Sequence, residues 1–366
     1  MSARRASWRI RRVLAALLLC GIASVSHAAT LDQLVAGAKS ESELRVTLFP
    51  RITPDVVKKL EAAFNARYGT QVTLSADLTG SYSEKAAQGV IEYKSGARAS
   101  YDAMVLPEQA FAALDTAKAI EPIDGWDAML PEGANKTVSP GPIAGRGFVT
   151  YDQYWGYAYS PEKITKAELP TTLTAAADPK YAGKLAISDF ASNWTYALLA
   201  YTPEEFLKIA SGFGSNRAAM LHPIQMAQHV ALGEYAVGLF QSTEQVIAVN
   251  QKGPKIVAAL WGDVVPRGEL LYTVRKGARA PNAAKLFTMW MTGREAVTLS
   301  GGAIDLGSAL YPGTEAIDQA LAMAKETGAK PVSFFDNDEQ YAKLNWLSTK
   351  AGTDYTRDLT NAIRGQ

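Results

Sequence analysis

Short apolar runs alternate with amphipathic helical segments from Leu44 onward, which is the pattern of a parallel α/β protein. Residues 44–49 predict a strand, and Thr53 followed by Pro54 predicts the start of a helix that ends at Gly69. Residues 71–75 predict the next strand. Two parallel strands need a crossover connection, so this helix is expected to pack on one face of a sheet with right-handed connectivity.

The same unit then recurs along the chain. Ser81 and Glu84 have capping-box spacing before an apolar helical stripe, and residues 101–106 predict a third strand. Residues 131–147 are rich in proline and glycine and predict a long irregular connection. A second series follows, with a helix closed by Gly233 and strands predicted at 184–188, 235–240 and 256–261.

Two extended apolar runs, 155–159 and 269–274, stand apart from these series. Their aromatic and β-branched content predicts strands, and we interpret them as strands that cross between two lobes. From Pro281 the pattern becomes helical, with an apolar face before Gly293. The prediction is therefore an α/β fold with two lobes, each a mostly parallel sheet flanked by helices.

The first 28 residues have the pattern of a signal peptide. Five arginines precede the apolar run 13–22, and small residues end at Ala28, after which cleavage is expected. The run is shorter than the about 20 residues of a permanent membrane span. Cys20 allows a lipoprotein alternative and the arginine pairs a twin-arginine export alternative, but Leu19 and the residues after the pairs favour ordinary secretion to the periplasm.

Charge and cysteine content change once this segment is set aside. The whole chain has 37 basic and 36 acidic residues, whereas residues 29–366 have 32 and 36, a formal charge of −4. An acidic balance argues against nucleic acid as a partner. No cysteine remains after residue 28, so the hydrophobic core alone must stabilise the fold, which its size permits.

Motifs for catalysis or metal binding are missing from the sequence. His222 and His229 are too few for a metal site, and a structural role is the simpler interpretation. We therefore predict no metal, no cofactor and no enzymatic activity. Asp189 and Glu244 follow predicted strand ends, which leaves an enzyme with a carboxylate acid or base as an alternative, although a solvated loop position explains Glu244 as well.

Ligands of parallel α/β sheets bind outside the carboxyl ends of the strands. In the first lobe this position holds Arg51, Ser81 and Tyr82. Arg51 suits an anion near two helix N-termini, with simple surface exposure as the alternative, and Ser81 is also a candidate helix cap. The second lobe supplies polar and aromatic candidates, some of which core packing explains equally: Trp155, Asp189, Ser192, Asn193, Trp194, Gln241, Ser242 and Thr243.

Several stretches occur in the order found in one known family. They are residues 60–69, 101–105, 155–161, 178–189, 233–238 and 276–287. Through them the chain resembles the periplasmic solute-binding proteins of ABC importers, in the group that includes ferric-ion-binding proteins. The resemblance implies a type II bilobed fold that closes by hinge motion around a small-molecule ligand and, as a monomer, delivers it to a membrane permease. We expect one lobe at 29–153 plus about 268–310 and the other at 154–267 plus about 311–366, with the last helices on either lobe.

The resemblance to the family predicts the fold, but it does not determine which solute the protein binds. Ferric-ion binders of the family have adjacent tyrosines after the segment that corresponds to Gly233–Tyr235, whereas this chain has Gln241-Ser242-Thr243-Glu244. Ferric iron is a hard cation that favours phenolate and carboxylate oxygens. We therefore predict a small organic anion or zwitterion, with an amine also possible if Asp189 and Glu244 both line the cleft. Ferric iron is the alternative, and a receptor that signals to a membrane sensor is another.

Overall fold

A computed structural model describes residues 29–79, 81–251, 253, 255–302 and 304–366. The predicted signal peptide, residues 1–28, lies outside this range. The strands are β1 Glu43–Thr47, β2 Thr73–Asp77, β3 Ala103–Pro107, β4 Ile120–Glu121, β5 Phe148–Tyr159, β6 Leu185–Ser188, β7 Ala219–Leu221, β8 Val237–Ser242, β9 Val257–Ala259, β10 Val265–Arg275 and β11 Pro331–Val332.

Helices follow most of the strands. They are α1 Leu31–Ala38, α2 Pro54–Tyr68, α3 Tyr82–Ser95, α4 Glu108–Thr116, α5 Leu173–Ala176, α6 Ala191–Trp194, α7 Pro203–Ser215, α8 Pro223–Ala231, α9 Thr243–Asn250, α10 Pro281–Trp290, α11 Arg294–Gly301, α12 Glu315–Thr327, α13 Asp338–Leu347 and α14 Lys350–Ile363. None of the helices in the described ranges is both long enough and apolar enough to cross a membrane.

Local sequence signals determine the ends of the first two sheet-covering helices. Pro54 is the first residue of α2, and Gly69 ends it in the left-handed conformation with φ 63°, which glycine adopts without steric cost. Ser81 caps α3 as its spacing to Glu84 predicts. Residues 131–147 contain only short 3-10 turns, in agreement with the predicted irregular connection.

The sheet is continuous and runs in the order β2-β1-β3-β10-β5-β8-β6-β7. The strands β1, β2 and β3 are parallel, as are β6, β7 and β8. We call the first half, with its helices, lobe 1 and the second half lobe 2. The two long strands β10 and β5 pair antiparallel between them, with a register shift between Leu270 and Leu271. The two crossing strands expected from the sequence are thus present, and the two-lobe α/β class is confirmed.

The core consists of two large buried clusters, one within lobe 1 and one that continues from lobe 1 into lobe 2. Leu44, Leu60 and Phe287 belong to the first cluster. Ile187 and Trp261 belong to the second, together with Phe111 of α4 in lobe 1. All six side chains are at most 2% exposed.

The last two helices contact different parts of the molecule. Tyr341 of α13 donates a hydrogen bond from its hydroxyl to Oδ2 of Asp115 in α4, at 2.5 Å. Helix α14 packs on α7, where Gly214 lies against the carbonyl oxygen of Ala362. The C-terminal residues therefore connect an element of lobe 1 to one of lobe 2.

We expect Gly214→Ala to destabilise the protein by about 1–3 kcal/mol, because overpacking costs energy of this size. An added Cβ would lie 2.1 Å from the carbonyl oxygen of Ala362, so α14 must move. Helix propensity alone would favour alanine by about 1 kcal/mol. Urea unfolding measures the change, with Gly141→Ala as the control because nothing lies within 4 Å of a Cβ there. A more stable Gly214→Ala variant would contradict this packing.

Candidate functional site

The carboxyl ends of the parallel strands in both lobes lead directly into helices. β2 leads to α3, β3 to α4, β6 to α6 and β8 to α9. The side chain of Ser81 accepts a hydrogen bond from the backbone N–H of Glu84 at 3.5 Å, so this serine is a helix cap. Ser81 and Tyr82 therefore lie at the beginning of α3, and Ser242 and Thr243 at that of α9, where free backbone N–H groups favour acceptors and negative charge.

Arg51 lies on the surface of lobe 1, and its guanidinium carbon is 5.2 Å from the centre of the Phe49 ring. Within the described ranges it forms no ion pair. Its charge nevertheless acts to lower the pKa of both Tyr82 and Glu244. Arg51, Tyr82 and Glu244 follow the carboxyl ends of β1, β2 and β8, so strand ends of both lobes contribute candidates.

Tyr82 is the first residue of α3 and is partly buried. Burial raises the pKa of its phenol above the ordinary value. The hydroxyl itself is buried and has no hydrogen-bond partner among the described residues. A buried polar group without a partner is costly, so this phenol is a candidate contact for a solute.

Glu244 is only 2% exposed, so its interpretation as a solvated loop charge is wrong. The physical reason is that β8 ends at Ser242 and α9 begins at Thr243, which leaves no loop for the carboxylate to occupy. Its Oε1 accepts hydrogen bonds from Ser242 Oγ and Gln153 Nε2, both at 2.6 Å. Burial raises the pKa of Glu244 above its ordinary value.

Gln241, Ser242 and Thr243 are at most 3% exposed. The amide nitrogen of Gln241 donates to Oε1 of Gln245, while its own Oε1 is buried without a described partner. Thr243 donates from Oγ1 to the carbonyl oxygen of Tyr154 at 3.5 Å. A buried polar cluster thus forms at the end of β8, and within it Gln241 Oε1 accepts no hydrogen bond from the described residues.

Trp155 of β5 is 6% exposed and lies opposite Ser242 in the strand register. Its ring stacks on that of Tyr196, with centroids 5.5 Å apart and planes at 28°. The indole Nε1 has no hydrogen-bond partner among the described residues. Two stacked aromatic rings thus lie beside the polar residues at the end of β8.

The loop after β6 is divided between surface and core. Asp189 and Ser192 are exposed, whereas Asn193 donates from Nδ2 to Ser188 Oγ at 2.9 Å. Trp194 is fully buried, and its indole donates to the carbonyl oxygen of Ser188 at 2.6 Å. Core packing therefore explains Trp194 best, because its ring is buried within lobe 2 and its indole N–H already donates a hydrogen bond there.

Glu108 directly follows β3, at one of the strand ends outside which ligands of such sheets bind. It is 3% exposed, and its carboxylate accepts hydrogen bonds from the Tyr196 hydroxyl at 3.0 Å and the Glu269 backbone N–H at 2.6 Å. Next to it, Gln109 Nε2 donates to Thr195 Oγ1 at 2.8 Å. These contacts join α4 of lobe 1 to the residues after α6 in lobe 2.

Near Glu108, one arginine forms ion pairs with several carboxylates. Arg267 contacts Glu269 at 3.0 Å, Asp152 at 3.7 Å and the more exposed Asp336 at 2.9 Å. Burial raises the pKa of Glu108 to about 7 and that of Glu269 to about 8, and it also raises the pKa of Asp152. We call Glu108, Asp152, Arg267 and Glu269 the hinge cluster. Of these four residues, the sequence indicates only Glu108, through its position at the end of a strand.

Comparison with known proteins shows which family and which solved structures the chain resembles. Residues 89–259 match the family model described as bacterial extracellular solute-binding protein. Among solved structures, the substrate-binding protein of an ABC transporter from Agrobacterium tumefaciens is 13% identical with a TM-score of 0.65, covering 90% of this chain and 97% of that one. No curated protein sequence matches the chain.

Two further solved structures differ in their ligands. The Trichodesmium protein IdiA (FutA), in complex with iron and citrate, is 15% identical with a TM-score of 0.65, and covers 88% of this chain and 99% of that one. MotA from A. tumefaciens B6, in complex with glucopine, is 15% identical with a TM-score of 0.59 and the same coverages. The resemblance to periplasmic solute-binding proteins and the bilobed fold are therefore confirmed, whereas the solute is not determined.

We expect the free energy of unfolding to decrease as the pH rises from about 5 to 9. Glu108 and Glu269 have native pKa values of about 7 and about 8, above the ordinary 4.5, so the folded state binds more protons than the unfolded state. Their contribution is complete below the ordinary pKa and is lost as the pH passes the native values. Each titrating group changes stability by up to about 1.4 kcal/mol per pH unit.

Chemical denaturation at several pH values measures this slope. Glu108→Gln should flatten it between pH 5 and 8, whereas Glu162→Gln, which changes an exposed glutamate, should leave it as in the unmodified protein. An identical slope in Glu108→Gln and the unmodified protein would contradict the role of burial at this carboxyl group.

Proposed function

We propose that this chain is an extracellular solute-binding protein that closes its two lobes around a small organic solute with an anionic group and delivers it from the periplasm to the permease of an ABC importer. The observation that supports the proposal best is that polar residues occupy the carboxyl ends of strands in both lobes, with Arg51 after β1 and the buried residues 241–244 at the end of β8. Tyr82 and Gln241 each have a buried polar atom without a described partner.

Arg51 is the group that we assign to the anion. Its guanidinium presents five N–H donors in a planar fork that fits a carboxylate or a phosphate. The ring of Phe49 lies under the guanidinium and limits its freedom. Helix α2 begins three residues later, so its positive end adds to the field of the arginine.

Closure requires lobes that remain connected while they move. The crossing strands β5 and β10 provide the permanent connection. The hydrogen bonds from Tyr196 to Glu108 and from Gln109 to Thr195 are side-chain contacts between the lobes. Such bonds each contribute about 1 kcal/mol, so they can break and re-form as the lobes open and close.

Ferric iron is a second candidate because three phenols belong to one part of lobe 1. Tyr151 and Tyr272 are buried in the same cluster, and Tyr82 packs against it. Burial raises all three phenol pKa values, however, and the Tyr151 hydroxyl already donates to Ser300 Oγ at 2.5 Å. In the described part of the chain, no group of three His, Cys, Asp or Glu residues fits a metal. We therefore favour the organic solute.

We expect Arg51→Gln to weaken binding of an anionic solute by about 10- to 100-fold, since hydrogen bonds to charged groups contribute about 1.5–3 kcal/mol. Thermal shifts with carboxylates, phosphonates, phosphorylated sugars, amines and ferric citrate would first identify a ligand class. A ligand at 100 times its Kd stabilises the folded state by about 2.7 kcal/mol. Titration calorimetry then gives the affinity of each variant.

Arg98→Gln is the matched control, because it removes the same charge from an exposed residue before the opposite end of β3. Equal affinities of Arg51→Gln and Arg98→Gln would count against Arg51 as the anion contact. If ferric citrate were the only compound to cause a thermal shift, the solute would be iron and not an organic compound.

A further inference from the structure

Among the residues that the structure describes, no lysine, arginine or histidine forms an ion pair with the buried carboxylate of Glu244. Its two hydrogen-bond donors, Ser242 Oγ and Gln153 Nε2, are neutral groups. The buried carboxylates of the hinge cluster differ in this respect, because Asp152 and Glu269 share Arg267. Burial of a charge without a partner is costly, so the surroundings of Glu244 favour the arrival of a positive group.

The groups around Glu244 are those that bind an ammonium ion. Gln241, three residues earlier, has a buried Oε1 that accepts no hydrogen bond from the described residues. Trp155 follows Gln153 by two residues in β5, so the two side chains leave the same face of the strand. Carboxylate, amide oxygen and aromatic ring together match an ammonium group, which has three donors and a charge that ring faces attract.

We propose that Glu244 binds an ammonium group of the solute, so that the solute is a zwitterion whose anionic end is bound by Arg51. This inference rests on the proposed function and specifies the chemistry of the same site. The two charged ends of the ligand would then contact different lobes.

The arrangement also explains how unsuitable anions would be rejected. A simple carboxylate of the same size could contact Arg51, but it would leave Glu244 buried and without a cation. A dicarboxylate would add repulsion to this cost. Selectivity would thus come from the unpaired group as much as from the attractive contacts.

The test compares amino compounds with their analogues that lack the amine. The probes are β-alanine with propionate, 4-aminobutyrate with butyrate, and aminomethylphosphonate with methylphosphonate, measured by titration calorimetry at constant pH. For the unmodified protein we expect the amino member of at least one pair to bind tenfold or more tightly than its partner. Equal or weaker binding of every amino member would overturn the inference without the use of any variant.

Glu244→Gln should reduce the ratio of affinities within that pair to threefold or less, because the neutral amide no longer favours the cation. Glu162→Gln, at an exposed position in lobe 2, should keep the ratio of the unmodified protein. An unchanged ratio in a folded Glu244→Gln protein would overturn the ammonium subsite. If Arg51→Gln still abolished binding in that case, the receptor function would stand and only this subsite would fall.

Discussion

The antiparallel pairing of β5 and β10 is the interaction on which the rest of the molecule depends. Both strands belong to the continuous sheet, and between them they pair with β3 on one side and β8 on the other. The two lobes therefore share a backbone ladder instead of a flexible linker. Because β3 and β8 pair with this ladder, it determines where these two strands end relative to each other.

The continuous ladder buries the charged residues of the hinge cluster. Asp152 is in β5, and Arg267 and Glu269 are in β10, so burial of the ladder places their charges in a region from which water is largely excluded. One arginine cannot compensate three buried carboxyl groups, and the pKa values of Glu108 and Glu269 rise as a result. The C-terminal segment contributes Asp336 and Ser333 to the same place. The tail is thus part of the connection between the lobes.

Features encoded by neighbouring residues were predictable from the sequence. The ends of α2 follow from Thr53-Pro54 and Gly69, and the cap of α3 follows from Ser81. The crossing strands were also expected, although both are longer than their apolar runs indicated. In these cases the residues that determine the helix or strand lie within that same element or directly beside it.

Burial and pairing between distant residues were not predictable in the same way. The burial of Glu244 depends on the absence of a loop between β8 and α9, and its partner Gln153 is 91 residues away in sequence. Arg267 and Asp336 are 69 residues apart, and no local pattern connects them. The core position of Trp194 likewise depends on the Ser188 carbonyl that accepts from its indole. The capping-box spacing of Ser242 and Gln245 was the one local sign that the chain turns directly into a helix there.

Under the proposed function, the contrast between exposed Arg51 and buried Glu244 would separate the rate of solute capture from the time for which the solute stays bound. A surface charge attracts an oppositely charged solute through water, so its contribution to the association rate falls as ionic strength increases. A buried carboxylate is screened little by salt and affects mainly the dissociation rate. The same receptor would therefore lose encounter speed in concentrated salt while it holds a captured solute for nearly the same time.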